Sequence, residues 1–390
     1  MANPIFSSLP TTIFEEMSGL ASALGAVNLG QGFPDDPGPE AIRAKAADAV
    51  LNGYNQYPRM AGIPELRQAV AAHYNRTQGL DLDAAEVTVT SGATEALAAA
   101  FFGLIQPGDE VICFQPLYDA YLPLIRRAGG MPKLITLKPP HWRFDRAMLE
   151  AAFSERTRFV VLNNPINPAG VVLPHEDLAL LAEVCVANDV IAICDEVWEQ
   201  VVFGNARHRP LIGCPGMRER TVKIGSAGKM FGLTGWKVGF MCAAPELSHA
   251  LAKTHQFLTF TTPPNLQTAV AWGLENPGDW FETMPRELQR SRDRLTEGLR
   301  REGFSVLSSE GTYFLTVDLP ASGIDEPDRD FALRAVKEAG VASVPVSALF
   351  EEDHVRTILR LCFSKRDETL DEGVKRLAKA RDLSRAASAG

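Results

Sequence analysis

Much that would place this chain in another class is missing. The six cysteines, at positions 113, 185, 194, 214, 242 and 362, form no Cys-x-x-Cys pair and no Cys/His metal spacing. Several lie inside apolar runs, so they read as reduced core residues. The seven histidines form no His-x-x-x-His pair, and no Gly-x-Ser-x-Gly elbow occurs. Metal-assisted and serine hydrolysis therefore lose support, and no metal is expected. No stretch reaches about 18 uninterrupted apolar residues, and the opening Met1-Ala2-Asn3-Pro4-Ile5-Phe6 has neither a basic start nor an apolar run. A cytoplasmic protein without a membrane span is the expectation. There is no internal repeat and no low-complexity linker. Charge of one sign is not concentrated either: 39 Lys and Arg against 48 Asp and Glu leave a net charge of −9, spread along the chain. A nucleic-acid-binding stripe is excluded on that ground, and a small anionic substrate would need local cations.

What is present is ordinary in bulk. The 390 residues, 46% hydrophobic and 22% charged, suit two or three globular domains. Short β-branched runs alternate with helical periodicity through the middle: 86–90, 110–114, 132–137, 157–163, 190–195, 221–224 and 238–242, with a helix over 176–187 between two of them. Strands spaced by helix-length connections predict an α/β fold with a mainly parallel central sheet, helices on both faces, and ligands at the strand ends. After residue 278 the order changes to a long polar helix over 280–301, strands near 303–307 and 312–318, a helix over 327–338, strands near 341–345 and 357–364, and a helix from Asp367. That pattern predicts a smaller α+β domain over 279–390, a large domain over 45–278, and an N-terminal arm over 1–44, rich in Pro and Gly, that contributes to the small domain.

The motifs that carry chemistry sit where predicted strands end. Lys229 lies in Ser226-Ala227-Gly228-Lys229, with a hydroxyl three residues before it and a second cation, Lys237, eight after. A lysine so placed can form a Schiff base while its neighbours hold a phosphate, which is pyridoxal phosphate chemistry. Ser91-Gly92-Ala93-Thr94-Glu95-Ala96-Leu97 follows a strand and opens a helix, where free N–H groups favour an anion, although a plain capped turn would read the same way. Asn163-Asn164-Pro165-Ile166-Asn167-Pro168-Ala169-Gly170 makes a rigid turn that can aim an amide, or merely punctuates a loop. Asp195 ends an apolar run, where a carboxylate needs a cationic partner such as a protonated pyridine nitrogen, helix capping being the plainer alternative. Tyr118 could stack on a planar ring or pack in the core. Arg360, inside the apolar strand pattern Ile358-Leu359-Arg360-Leu361-Cys362-Phe363, suits a two-point grip on a carboxylate or points to solvent from an edge strand.

Together these residues resemble the class I/II aminotransferases of fold type I, most of all the branch with kynurenine aminotransferase, glutamine transaminase K and methionine aminotransferase. The resemblance covers nearly the whole length. It rests on the segment 28–34 (Asn-Leu-Gly-Gln-Gly-Phe-Pro), Asn55-Gln56-Tyr57, 163–170, Asp195-Glu196-Val197, 226–239 and Arg360-Leu361-Cys362-Phe363. It implies that Lys229 is the Schiff-base lysine and proton shuttle, and that Asp195 pairs with the pyridine nitrogen of pyridoxal 5'-phosphate. Asn167 would bond the ring's phenolic oxygen, Tyr118 would stack on the ring, and Ala93, Thr94, Ser226 and Lys237 would hold the phosphate. Arg360 would bind the substrate α-carboxylate with help from Asn167 and the backbone at Gly32, and Phe14 and Phe260 would be aromatic pocket residues. Tyr57 would reach the phosphate of a neighbouring subunit, implying a homodimer.

One departure stands out. Most relatives carry a tyrosine three residues after the pyridine-binding Asp; this chain has Trp198, whose indole N–H can donate one hydrogen bond but cannot ionise. Ile166 and Ala169 are milder departures. The implied reaction is a ping-pong transfer of an amino group from an aromatic, sulfur-containing or glutamine-like L-amino acid to a 2-oxo acid. A cysteine-conjugate β-lyase on the same scaffold is one alternative. Another is an N-succinyldiaminopimelate or other dicarboxylate aminotransferase, with Arg59 beside Tyr57 able to meet a distal carboxylate. A non-catalytic sensor fused to a DNA-binding module is not expected, since the residues before Asn28 leave no room for one.

Overall fold

A computed structural model describes residues 3–352 and 355–389; Met1, Ala2, Asp353, His354 and Gly390, which the outer segments of the expected domain division include, lie outside the described residues. Seven strands form one sheet in the order Val87–Thr90, Gly239–Cys242, Thr221–Ser226, Ile191–Asp195, Thr157–Asn163, Glu110–Gln115, Met131–Thr136. All are parallel except Gly239–Cys242, which runs antiparallel to both neighbours. The other strands are joined by long crossovers, as parallel pairing requires, each through an α-helix except that from Asp195 to Thr221, which holds only two short 3-10 turns. Between Ser226 and Gly239 there is only a one-turn helix at Ala227–Met230 and a short 3-10 turn, so the chain reverses and re-enters the sheet beside the strand it left.

Alternate residues of the parallel strands feed two different cores, which is why the sequence shows continuous apolar runs. Ile112, Phe114, Val160, Leu162, Ala192 and Cys194 pack against the helices Arg146–Ala152 and His175–Ala187. Their neighbours Val111, Cys113, Phe159, Val161 and Ile193 pack against Ala93–Leu104 and Tyr121–Ala128 on the opposite face. All six cysteines are buried and free.

A second, antiparallel sheet has the order Val344–Pro345, Ile358–Cys362, Phe314–Asp318, Ser305–Val306. The strand expected over 341–345 is split: Val341–Ala342 instead pairs with Val27–Asn28, so the N-terminal segment joins this part of the molecule through backbone hydrogen bonds. That segment is also more helical than its Pro and Gly content suggested. Helix Ile13–Leu24, capped by Thr12 and ended by Gly25, buries Ile13, Met17 and Ala21 in the same core as Leu359 and Leu361. A boundary after residue 44 falls inside helix Glu40–Asn52, which packs on helix Pro264–Glu275 beside the seven-stranded sheet. Among the described residues no helix is long and apolar enough to cross a membrane.

Candidate active site

The carboxyl ends of the parallel strands meet at one edge of the large sheet, where ligands of open α/β sheets gather. A cavity of about 180 Å³ opens there, lined by Gly92, Ala93 and Thr94 after the first strand, and by Tyr118 and Tyr121 after the second. Asn163 and Asn167, then Asp195, Val197 and Trp198, and then Ser226, Gly228, Lys229, Thr234 and Lys237 complete the wall. Nine of the ten expected cofactor contacts therefore converge: Ala93, Thr94, Tyr118, Asn167, Asp195, Trp198, Ser226, Lys229 and Lys237. Gly92 precedes the helix Ala93–Leu104 with φ +79°, and a Cβ on it would lie 3.3 Å from Lys237 Nζ. The open helix end and the ammonium thus face one small volume, the setting an anion requires.

Asp195 is the acid of the cavity. Its Oδ2 accepts a 2.5 Å hydrogen bond from Tyr121, while the buried Oδ1 has no partner among the described residues. Burial raises its pKa, and the Tyr121 bond opposes that rise. Lys229, partly buried, lines the same cavity. Its pKa is lowered to about 8, first by burial and then by the charges of Lys237 and Arg360, against Cys362 and Asp195. Its Nζ donates to Tyr313 Oη at 3.0 Å and lies 4.7 Å from the centre of the Trp198 ring.

Arg360, buried on the strand Ile358–Cys362, stands beyond Asn167. It donates through Nη1 to Asn167 Oδ1 at 3.0 Å and through Nη2 to the Gly30 carbonyl at 2.8 Å, while Nε has no partner. Phe314 lies 3.9 Å and Phe14 5.0 Å from its guanidinium, and burial pulls its pKa down to about 10. Gly32 is close by, where a Cβ would come within 2.7 Å of Phe314.

Two expected pocket residues are not brought in. Tyr57 is 81% exposed and Phe260 41% exposed; they pack edge-on to each other at 5.4 Å on the surface, outside the cavity of their own chain. Tyr121, Asn163 and Tyr313 were missed. Tyr121 follows Tyr118 by one helical turn and Asn163 ends a strand, so spacing could have marked both; nothing local marks Tyr313. A cluster that sequence spacing also missed, Glu196, Glu199 and His208, has ligand-like geometry. Its two glutamates already hold Lys223 Nζ at 2.5 Å each.

The orphaned Asp195 oxygen, the anion-binding helix start and a partly buried amine of lowered pKa make this the site of an α/β enzyme suited to a planar, phosphorylated, carbonyl-bearing cofactor. The description "Aminotransferase class I and II" matches residues 25–377, and the chain belongs to that family. It is 43% identical over 380 residues to a probable N-succinyldiaminopimelate aminotransferase of Mycobacterium tuberculosis, covering 94% of this chain and 96% of the relative. It is 41% identical over 382 residues to the methionine aminotransferase of Escherichia coli, covering 96% and 98%. It is also 35% identical over 398 residues to a human kynurenine–oxoglutarate transaminase, covering 93% and 94%. The solved M. tuberculosis N-succinyldiaminopimelate aminotransferase superimposes with a TM-score of 0.94 at 42% identity, over 97% of this chain and all of the other. The chain is thus a fold type I aminotransferase that uses pyridoxal phosphate.

Proposed function

We propose that this aminotransferase takes the amino group of an aromatic, sulfur-containing or glutamine-like L-amino acid and passes it to a 2-oxo acid, in ping-pong fashion, with Lys229 carrying the cofactor. The observation that carries the assignment is the presence, in one cavity, of a partly buried amine with pKa lowered to about 8 and a buried carboxylate with one oxygen unpartnered among the described residues. Bound there, pyridoxal phosphate supplies a carbonyl carbon to carry the amino group and an electron sink conjugated to Cα. Asp195 would hold the proton of the ring nitrogen, and Asn167 and Trp198 would serve the phenolic oxygen. Ala93, Thr94, Ser226 and Lys237 would hold the phosphate, and Tyr118 would stack on the ring. Arg360 grips the substrate α-carboxylate beside Gly32, which orients Cα–H, and Lys229 Nζ takes and returns that proton.

The aromatic wall around Arg360, with Phe314 at 3.9 Å and Phe14 at 5.0 Å, supports an apolar or aromatic side chain on the substrate. The similarity to an N-succinyldiaminopimelate aminotransferase supports the dicarboxylate reading as the second choice, with Arg59 as its cation. A homodimer is supported by the exposed apolar residues Leu51, Tyr54, Tyr57, Phe257 and Phe260; in it, Tyr57 and Phe260 serve the neighbouring site. The cytoplasm is the proposed location.

Borohydride reduction, digestion and mass spectrometry test the attachment site: the adduct belongs on Lys229, and an adduct on Lys223 or Lys237 overturns the assignment. A panel of amino donors against several 2-oxo acids tests the substrate class. Preference for N-succinyl-diaminopimelate over methionine, kynurenine and glutamine would favour the second reading, and pyruvate and ammonia formed without an acceptor would reveal β-lyase activity.

A further inference from the structure

Lys229 has a partner that no sequence motif marks. Its Nζ donates to the phenolic oxygen of Tyr313 at 3.0 Å, and the same hydroxyl donates to the Gly32 carbonyl at 2.6 Å. A phenol has a single proton. With that proton committed to Gly32, the oxygen can only accept from the lysine, so its role is to hold the amine and not to protonate it.

The backbone is shaped to deliver this contact. Thr312, fully buried, has φ +63°, which a β-branched residue rarely adopts. Two hydrogen bonds keep it there: its N–H donates to the Val201 carbonyl at 2.9 Å, and its Oγ1 accepts from the Phe314 N–H at 3.0 Å. Successive side chains of a regular strand point to opposite faces. The kink at Thr312 instead lets the rings of Tyr313 and Phe314 lie 5.0 Å apart, one at Lys229 and the other against Arg360. The Trp198 indole stands edge-on to Tyr313 at 4.4 Å and blocks the phenol from swinging away. The short segment that receives the Tyr313 proton at Gly32 also accepts Arg360 Nη2 at Gly30. The amine and the carboxylate grip are therefore referenced to one stretch of backbone.

We propose that Tyr313 is a positioning residue for the known reaction: it receives the Lys229 amine whenever Nζ is not bonded to the cofactor, and holds it at a fixed place relative to Arg360. The proposal rests on the reading of Lys229 as the cofactor-bearing lysine. A free lysine chain has many rotamers, and a misplacement of about 1 Å in a reacting group costs roughly a hundredfold in rate. Tyr313 removes that freedom at the moment when the amine must collect a proton from Cα.

The test is Tyr313→Phe, which deletes one oxygen. The maximal rate of the amino-acid half-reaction falls roughly ten- to a hundredfold, while KM for the amino acid stays within about twofold because Arg360 is untouched. In the cofactor-free protein, the pH midpoint for modification of Lys229 by an amine-selective reagent, followed by mass spectrometry, moves down, because an acceptor that favours the ammonium is gone. A purely structural role would lower the melting temperature and move neither quantity. An unchanged rate with an unchanged midpoint overturns the proposal, as does a rise in KM at constant kcat. Should Tyr313→Phe fail to fold, 3-fluorotyrosine placed at 313 keeps the shape and weakens the acceptor. The same two changes are then expected in smaller measure, and their absence overturns the proposal. Borohydride mapping separates the levels: an adduct on another lysine removes the underlying reading, whereas an adduct on Lys229 beside unchanged variants removes the Tyr313 proposal alone.

Discussion

Tyr121 donates a 2.5 Å hydrogen bond to Asp195 Oδ2, while the buried Oδ1 has no partner among the described residues. The acid is half satisfied, which in a protein without its ligand is a cost and in one that pairs it with a protonated ring nitrogen is a means of recognition. A cationic partner bound at Oδ1 would relieve that cost.

That relation predicts the behaviour of Asp195→Asn. The folded-state pKa of Asp195 is raised above its ordinary 3.8. The folded protein then binds the proton more tightly than the unfolded chain, and stability from this group falls as pH rises from 3.8 through the raised value. At neutral pH the cofactor-free Asn variant should be more stable than the parent, with the gain vanishing in acid. Its affinity for pyridoxal phosphate should drop at least roughly tenfold, since a neutral amide cannot hold the ring proton. Chemical denaturation at two pH values and a cofactor titration measure both; equal stability at pH 7 would refute the account.

Lys229 should capture the cofactor with a pH midpoint close to 8 in place of the lysine's usual 10.5. The depressed value also means that the unfolded chain binds the proton more tightly, so this group's contribution to stability grows as pH rises from about 8 toward 10.5. Lys229→Met should flatten that part of the curve. Lys223 offers the contrast: bonded to Glu196 and Glu199, its pKa is pushed up, and it should stay unmodified across the same range. Rapid-mixing absorbance with the cofactor-free protein supplies the midpoint, and one near 10 would contradict the burial argument.

Arg360→Lys keeps a charge but not the planar fork that spans Asn167 and Gly30. We expect kcat/KM for amino acids to fall by an order of magnitude or more, each tenfold being about 1.4 kcal/mol. The cofactor's absorption should hardly change, because Arg360 meets the cavity only across Asn167. Kinetics equal to the parent's would assign the carboxylate to another residue.

Trp198 lines the cavity and packs against Tyr313 and Phe314, so it faces the site and the inter-strand core together. If its N–H meets the cofactor's phenolic oxygen, it would offer a neutral hydrogen bond worth about 1 kcal/mol and no ionisable partner. Trp198→Tyr should shift the pH midpoint of the cofactor's visible band and leave transamination intact. Superimposable titration curves of the two proteins would show that residue 198 does not touch that oxygen.

The strands of the large sheet were readable from the sequence to within a residue or two, and Thr157–Asn163 and the helix Trp280–Arg301 to the residue. Their signals are local: β-branched runs buried on both faces, 3.6-residue periodicity, and turns rich in Asn and Pro. Nine residues of the cavity wall were readable for the same reason, since each sits in a short segment that follows a strand, and parallel strands bring such segments to one edge. The direction of Gly239–Cys242 was not, because it depends on the short return through Lys229 and not on the strand's own composition.

By itself, then, the sequence determined the alternation of strands and helices, the order of the motifs, and the presence of a lysine, an acid and an arginine suited to one reaction. Only the tertiary structure decided which side chains complete them. Tyr121 reaches Asp195 across 74 residues, Tyr313 reaches Lys229 across 84, and Tyr313 reaches Gly32 across 281. It also decided that Tyr57 and Phe260 stay outside their own chain's cavity. The physical reason is range. Propensity, capping and periodicity act over a few residues, whereas a hydrogen bond between distant segments exists only after sheet order and core packing have brought two backbones together.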